Sequence, residues 1–184
     1  GSISDAWHIK CLEEEFFLKT TNLSQKGLFH SEVSGLKELS QCKSLTIPKV
    51  LGISKNDSQC LLLLEYFQLN THNSTSQAKL GKGLAEMHRI TAEKFGFAES
   101  NYIGATPQIN NKTDNWVDFY NHCRLMPQAY MTGNDEIEAL AEKLSEKTAN
   151  FFKNYSPKAS LLHGDLWSGN TARIENDTAL IYDP

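Results

Sequence analysis

Residues 161–170 read Leu-Leu-His-Gly-Asp-Leu-Trp-Ser-Gly-Asn, and residues 181–184 read Ile-Tyr-Asp-Pro. Between them lie two short strand-like runs, 171–174 and 179–182, around Asn176-Asp177. Asn and Asp both tolerate positive φ, so this pair reads as a two-residue hairpin turn. Such a turn sets Asn170 opposite Asp183, with Cα atoms on the order of 5 Å apart. An amide oxygen beside a carboxylate suits a hard divalent cation. Asp165 stands five residues before Asn170, and Gly164 and Gly169 allow a tight loop between them. The segment therefore predicts three oxygen-bearing side chains gathered at one point.

The spacing His163-x-Asp165-x4-Asn170 is that of the protein-kinase catalytic loop. There the Asp accepts the proton of the substrate hydroxyl and the Asn holds Mg²⁺. Any one of these residues alone reads as a loop cap. Together, with the hairpin register, they read as a phosphoryl-transfer centre. Asp165 is then the catalytic base, and Asn170 and Asp183 are the metal ligands, Asp183 in the role of the kinase DFG aspartate.

Upstream, residues 6–11 and 16–19 read as a hairpin of strands, with 12–15 as the turn. Residues 29–41 read as a helix, with Phe29, Val33, Leu36 and Leu39 on one face. Residues 49–54 and 60–66 read as two more strands around a turn at 56–58. Lys19 ends an apolar strand, as the phosphate-binding lysine of kinases does. Glu32, expected in the first turn of the next helix, is placed to pair with it. Alone, the two read as a solvated surface pair; beside the downstream loop they read as ATP-binding. Ser2 and Ser4, before the first strand, occupy the position of a phosphate-covering loop. The strand leading into Glu65-Tyr66-Phe67 reads either as a hinge, with Glu65 and Phe67 bonding adenine through backbone groups, or as a strand ending in an aromatic core contact.

Residues 70–76 are polar and read as a connection. A helix follows from residue 77, with Leu80, Leu84 and Met87 on one face and His88 packed or capping at its end. Residues 96–112 read as a loop. Thr113 reads as the N-cap of a helix carrying Trp116, Phe119, Tyr120 and Cys123. Asn134 reads as the N-cap of a long helix with Ile137, Leu140, Leu144 and Phe151 inward. The expected fold is α+β and two-lobed, protein-kinase-like. A small antiparallel β lobe occupies 1–67, a linker 68–76 and a helical catalytic lobe 77–184, truncated at its C-terminus.

The chain has 184 residues, 40% of them hydrophobic, which suffices for a real core. A formal net charge of −4 argues against wrapping nucleic acid. The four cysteines, Cys11, Cys42, Cys60 and Cys123, form no CxxC pair and read as buried or semi-buried free thiols. No signal peptide and no apolar run long enough for a bilayer is present, so no membrane association and a reducing cytoplasm are expected. Both ends read as cut, and the sequence as a piece of a longer protein.

The chain resembles the fructosamine, or ketosamine, kinases. The resemblance rests on LLHGDLWSGN at 161–170, IYDP at 181–184, the GxISxA-like opening at 1–6 and FFLK at 16–19. It extends to SEVSGLKEL at 31–39, KLGKGLAEMH at 79–88, KFGF at 94–97, PQIN at 107–110 and the aromatic pattern from Trp116 to Leu125. HGDLxxxN alone is shared with aminoglycoside phosphotransferases and choline kinases; the Trp167-Ser168-Gly169 filling and the Asp-Pro ending favour the ketosamine group. The resemblance implies transfer of the ATP γ-phosphate, with Mg²⁺, to a sugar hydroxyl of a small-molecule or protein-bound ketosamine, as deglycation repair. Likeness to bacterial members implies a pentose or tetrose adduct. Trp167, inside the catalytic loop, is expected to stack on the sugar or its amine-derived group. Ser2 stands where some members carry a cysteine, so a thiol switch is not available there. The alternatives are a kinase of another small alcohol, of aminoglycoside or choline type, and a nucleotide-binding protein without catalysis. The latter predicts loss of Lys19, Asp165 or Asp183, and all three are present.

Overall fold

The computed structural model describes residues 4–184. Ser2 and the opening glycine therefore lie outside the described residues. The chain divides into two compact units. The first holds the chain up to Ile90, residues 103–105 and the stretch Leu161–Pro184; the second holds Thr91–Tyr102 and Thr106–Ser160.

In the first unit, β1 (Asp5–Cys11) and β2 (Glu14–Asn22) form an antiparallel hairpin. Its turn passes through Leu12 at φ 56, fully exposed. Helix α1 (Lys26–Leu39) follows, then β3 (Val50–Lys55) and β4 (Gln59–Glu65). The four strands make one antiparallel sheet in the order β1-β2-β4-β3. Four consecutive leucines in β4 alternate in burial as a strand requires. Cys60, Leu62 and Leu64 turn inward and pack with Phe29 and Leu36 of α1. Burying each such Leu or Phe stabilises by roughly 1.5–3 kcal/mol, which fixes α1 on the sheet. The helix starts three residues earlier than its apolar spacing suggests, so Glu32 lies in the second turn and not the first. Cys42, Cys60 and Cys123 are buried free thiols, whereas Cys11 is exposed, contrary to expectation, because β1 is an edge strand.

Helix α2 (Ser74–Met87) also begins earlier than expected, because Asn73 and Ser76 close a capping box. His88 is its exposed C-cap residue. Met87 is fully buried with Leu39, Cys42, Leu45, Ala179 and Ile181, and Leu80 and Leu84 pack against that cluster.

In the second unit, β5 (Thr91–Ala92) will pair with a strand near its end. Residues 96–112 are not a plain loop but carry β6 (Asn101–Ile103) and β7 (Thr106–Gln108). Helix α3 (Trp116–Tyr120) is capped by Asn115, whose Oδ1 accepts from the Val117 and Asp118 N–H groups. Thr113, the expected cap, donates its hydroxyl to the Asn115 carbonyl instead, one step outside the helix. A π turn over Asn121–Leu125 then leads into α4 (Met126–Met131). Pro127 has no N–H to return to Cys123, which accounts for the widened turn. The freed Cys123 carbonyl accepts from Arg124 Nη1 at 2.7 Å.

Helix α5 (Asp135–Phe151) is capped by Asn134 as expected. Its expected inward face is not inward. Leu140 is 58% exposed and Phe151 74%, with Ile137 and Leu144 also exposed. The helix is seated through a neighbouring strip, Ala141, Ser145 and Thr148, and Asn121 donates to the Ser145 carbonyl at 3.2 Å. Strand β8 (Ala159–Ser160) closes the unit against β5.

The chain returns to the first unit with β9 (Thr171–Arg173) and β10 (Ala179–Ile181), an antiparallel pair. Ala179, Leu180 and Ile181 are all buried. Thr46 bridges this hairpin through its N–H to Ala179 O and its carbonyl from Ile181 N–H.

Candidate active site

Lys19 lies within β2, which runs three residues beyond it, and faces Leu62 of β4 across the ladder. Its ammonium is buried and donates to Glu32 Oε1 at 2.9 Å, Glu32 Oε2 at 2.7 Å and Asp183 Oδ1 at 3.0 Å. Burial alone would lower the Lys19 pKa, but the Glu32 and Asp183 carboxylates outweigh it and hold the group above its ordinary value. Burial, with Asp183 adding, pushes the Glu32 carboxyl up, against the pull of Lys19. A lone charge in this position would be strongly destabilising; two carboxylates make it tenable.

Asp183 reaches Lys19 by a route that spacing alone does not show. Ile181 faces Thr171 in the ladder, and the Tyr182 N–H donates to Asn170 O at 3.1 Å. Asn170 is therefore opposite Tyr182, one residue out of the expected register. The connection is a three-residue loop, Glu175–Asp177, closed by Ile174 N–H to Thr178 O, and not a two-residue turn. Asn176 and Asp177 do take positive φ, 55 and 53. Asp183 leaves the strand at φ 56, which re-aims its carboxylate. Pro184 then rests on Gly35 of α1: a Cβ on Gly35 would come within 2.7 Å of Pro184 Cγ. A helix-interior glycine costs about 1 kcal/mol against alanine; this one makes room for the segment carrying Asp183.

The catalytic-loop candidates lie in the loop that leads into the same hairpin. Asn170 is buried and its Nδ2 donates to Asp165 O at 2.9 Å and Asp183 O at 3.2 Å. One amide thus ties the backbone of Asp165 to that of Asp183. The Asp165 side chain is exposed. His163 is buried, with Nε2 at 3.1 Å from the Tyr182 carbonyl. A carbonyl only accepts, so Nε2 carries the proton. Burial lowers the His163 pKa against the Tyr182 carbonyl and the Asp165 and Asp183 charges, leaving the ring neutral near pH 7. Trp167 is exposed and lies over Gly169, and the Tyr182 hydroxyl donates to Gly169 O at 2.7 Å. The Gly35–Pro184 and Tyr182–Gly169 contacts were not foreseen from the sequence; the mid-helix glycine was the available signal for the first.

The remaining described candidates are Glu65, Phe67 and Ser4. The Glu65 N–H donates to Lys49 O at 2.9 Å, and its carboxylate accepts from the Lys49 N–H. Tyr66 stacks on His8 with centroids 3.8 Å apart, and Phe67 is half-buried. Ser4 is half-buried directly before β1.

The donors that would meet Mg²⁺ are the Asn170 amide oxygen and the Asp183 carboxylate. With both Asn170 Nδ2 bonds spent on carbonyls, the amide orientation is fixed and Oδ1 is its acceptor end. Hard oxygen donors fit a hard divalent cation. Among the described residues no group of three or more His, Cys, Asp or Glu forms a metal cluster, and no helix is long and apolar enough to cross a membrane.

The chain matches the family described as fructosamine kinase over residues 1–184. It is 33% identical over 193 aligned positions to the chloroplastic protein-ribulosamine 3-kinase of Arabidopsis thaliana, covering all of this chain and 58% of that protein. It is 30% identical to the probable ketoamine kinase YniA of Escherichia coli, covering 100% of this chain and 65% of that one. A crystal structure of a candidate fructosamine-3-kinase from Thermobifida fusca superposes with TM-score 0.84 at 26% identity, over 100% of this chain and 65% of that one. One from Haemophilus somnus superposes with TM-score 0.87 at 23% identity, over 100% and 62%, a likeness of fold. The α+β fold is that of these proteins. The chain spans 58% of the Arabidopsis relative's length and 65% of the Escherichia coli one.

Proposed function

This chain belongs to the fructosamine kinase family, and on that premise we propose that its protein is an ATP-dependent kinase phosphorylating a sugar hydroxyl of ketosamines. The observation that carries the reading is the buried Lys19 ammonium held between Glu32 and Asp183, on a hairpin whose Asn170 ties down the Asp165 backbone. In this reading 1–67 is the ATP-binding lobe of a protein-kinase-like fold, 68–76 the linker and 77–184 the catalytic lobe.

Lys19, braced by Glu32, orients the α- and β-phosphates of ATP. Ser4 and, by its place in the sequence, Ser2 would cover the phosphates, and adenine meets the Glu65–Phe67 backbone, with the Glu65 N–H already engaged by Lys49. Asn170 and Asp183 would hold Mg²⁺, which neutralises charge on the phosphates when bound. Asp165 accepts the proton of the sugar hydroxyl as that oxygen bonds the γ-phosphorus and ADP leaves. Trp167 offers its indole to the sugar or amine-derived part of the substrate. Positioning and charge neutralisation supply most of the rate in such a transfer. The partner is a small-molecule or protein-bound ketosamine, and phosphorylation of the adduct serves deglycation. The buried free thiols fit a reducing compartment such as the cytoplasm.

The test is ATP consumption by the full-length protein, with Mg²⁺, against fructosamine, ribulosamine, an aminoglycoside and choline. Turnover is expected with a ketosamine. Turnover confined to the aminoglycoside or choline contradicts the proposal.

A further inference from the structure

The two glycines of the catalytic loop do different work. Gly164 sits at φ 98, a conformation that favours glycine. Gly169 is outside the left-handed region, so its backbone does not demand glycine. What Gly169 supplies is room. A Cβ built there would overlap Cζ2 and Cη2 of the Trp167 ring and lie 2.8 Å from Cε2. The indole thus rests directly on the bare Cα of Gly169.

That seat is itself anchored. The Gly169 carbonyl accepts the Tyr182 hydroxyl at 2.7 Å, and the Trp167 carbonyl accepts the Asn170 N–H at 3.0 Å. The Tyr182 N–H in turn donates to Asn170 O at 3.1 Å, beside Asp183. Even so, Trp167 remains 61% exposed. An exposed indole with a built backing is unusual for a ring that only fills a core. Backing holds it in one orientation before anything binds, which removes ordering entropy that binding would otherwise cost.

We propose that Gly169 is a positioning residue for Trp167: its missing side chain seats the indole, the Tyr182 hydroxyl fixes the seat, and the exposed ring is preset to meet the ketosamine. The inference rests on the reading of Trp167 as substrate-facing given above. Alanine at 169 must displace the ring, whose atoms stand nearest to the added Cβ.

The experiment is a double-variant cycle in the full-length protein, with Nε-ribulosyl-lysine as the acceptor. Gly169→Ala should raise KM for the acceptor about five- to tenfold, the scale of one aromatic contact. KM for ATP should stay within about twofold. Trp167→Ala should raise the acceptor KM at least as much, and Gly169→Ala should then add nothing. Tyr182→Phe should shift the acceptor KM in the same direction by less. An unchanged acceptor KM in Gly169→Ala, or its full effect persisting in the Trp167→Ala background, overturns the inference. If Trp167→Ala leaves the acceptor KM unchanged, or no ketosamine is turned over, the substrate-facing reading fails. The seating is then judged without substrate, by fluorescence of the full-length protein in which every tryptophan except Trp167 is replaced by Phe, Trp7 and Trp116 among them. Gly169→Ala should shift the Trp167 emission and increase its quenching by acrylamide; an identical spectrum and quenching overturn the seating.

Discussion

Lys19 carries a full charge into the interior of the first unit, and its neighbours are what make that possible. Glu32 arrives on α1 and Asp183 on the return hairpin, from positions far apart in the chain. The Lys19–Glu32 pair was legible only beside the downstream loop, because a lysine on an apolar strand and a glutamate on the next helix alone read as a solvated surface pair. Asp183 was expected as a metal ligand opposite Asn170, in a register that does not occur, and its bond to Lys19 was not foreseen. His163 gives a test at this scale. Burial holds its imidazole below the ordinary 6.5. A basic group whose folded pKa is depressed contributes stability above its unfolded pKa, and that contribution is lost as pH falls through the folded value. The melting temperature should therefore fall as pH drops below about 6.5. In His163→Gln, whose amide can still donate to the Tyr182 carbonyl, the fall should be shallower. Equal pH slopes for the two proteins contradict this account of His163.

At the scale of elements, the β9–β10 hairpin shows why spacing nearly suffices. Asn176 and Asp177 were recognisable as turn residues, but whether a turn has two or three residues depends on the closing bond between Ile174 and Thr178. That bond leaves no mark on residue type. Likewise Thr113 and Asn115 are both good caps, and backbone geometry chose the second. Helix α1 offers a sharper test. Gly35→Ala improves helix propensity by about 1 kcal/mol but drives a Cβ against Pro184. Displacing Asp183 by about 1 Å costs up to 100-fold in rate. The variant should melt within a few degrees of the parent and lose at least about tenfold in kcat; full activity contradicts the role given to Gly35. Helix α5 behaves oppositely to its apolar pattern. Periodicity showed an apolar stripe but not which strip faces the unit. Leu140→Lys should change the stability of this chain by no more than about 0.5 kcal/mol, whereas Ala141→Leu, at a buried seat, should cost about 1–3 kcal/mol. Urea unfolding of both variants decides it, and a reversed order refutes the seating through Ala141.

At the scale of the molecule, the α+β class and the strand–helix order of the first unit could be read ahead of the structure, because alternating burial in β4 and the face of α1 follow from residue type. The second unit was less legible: its short strands lie in a polar loop, and its π turn depends on Pro127 meeting one carbonyl. All the described candidate site residues fall in the first unit, from Ser4 to Asp183. In the proposed reading Lys19 and Glu32 serve ATP binding, and Asp165, which is exposed, serves the chemistry. The full-length Asp165→Asn variant tests this most directly, by ATP affinity and by ribulosamine-dependent ADP release with Mg²⁺. The account predicts ATP affinity within about threefold of the parent and turnover reduced by at least about 100-fold. Turnover at the parent's rate would contradict it.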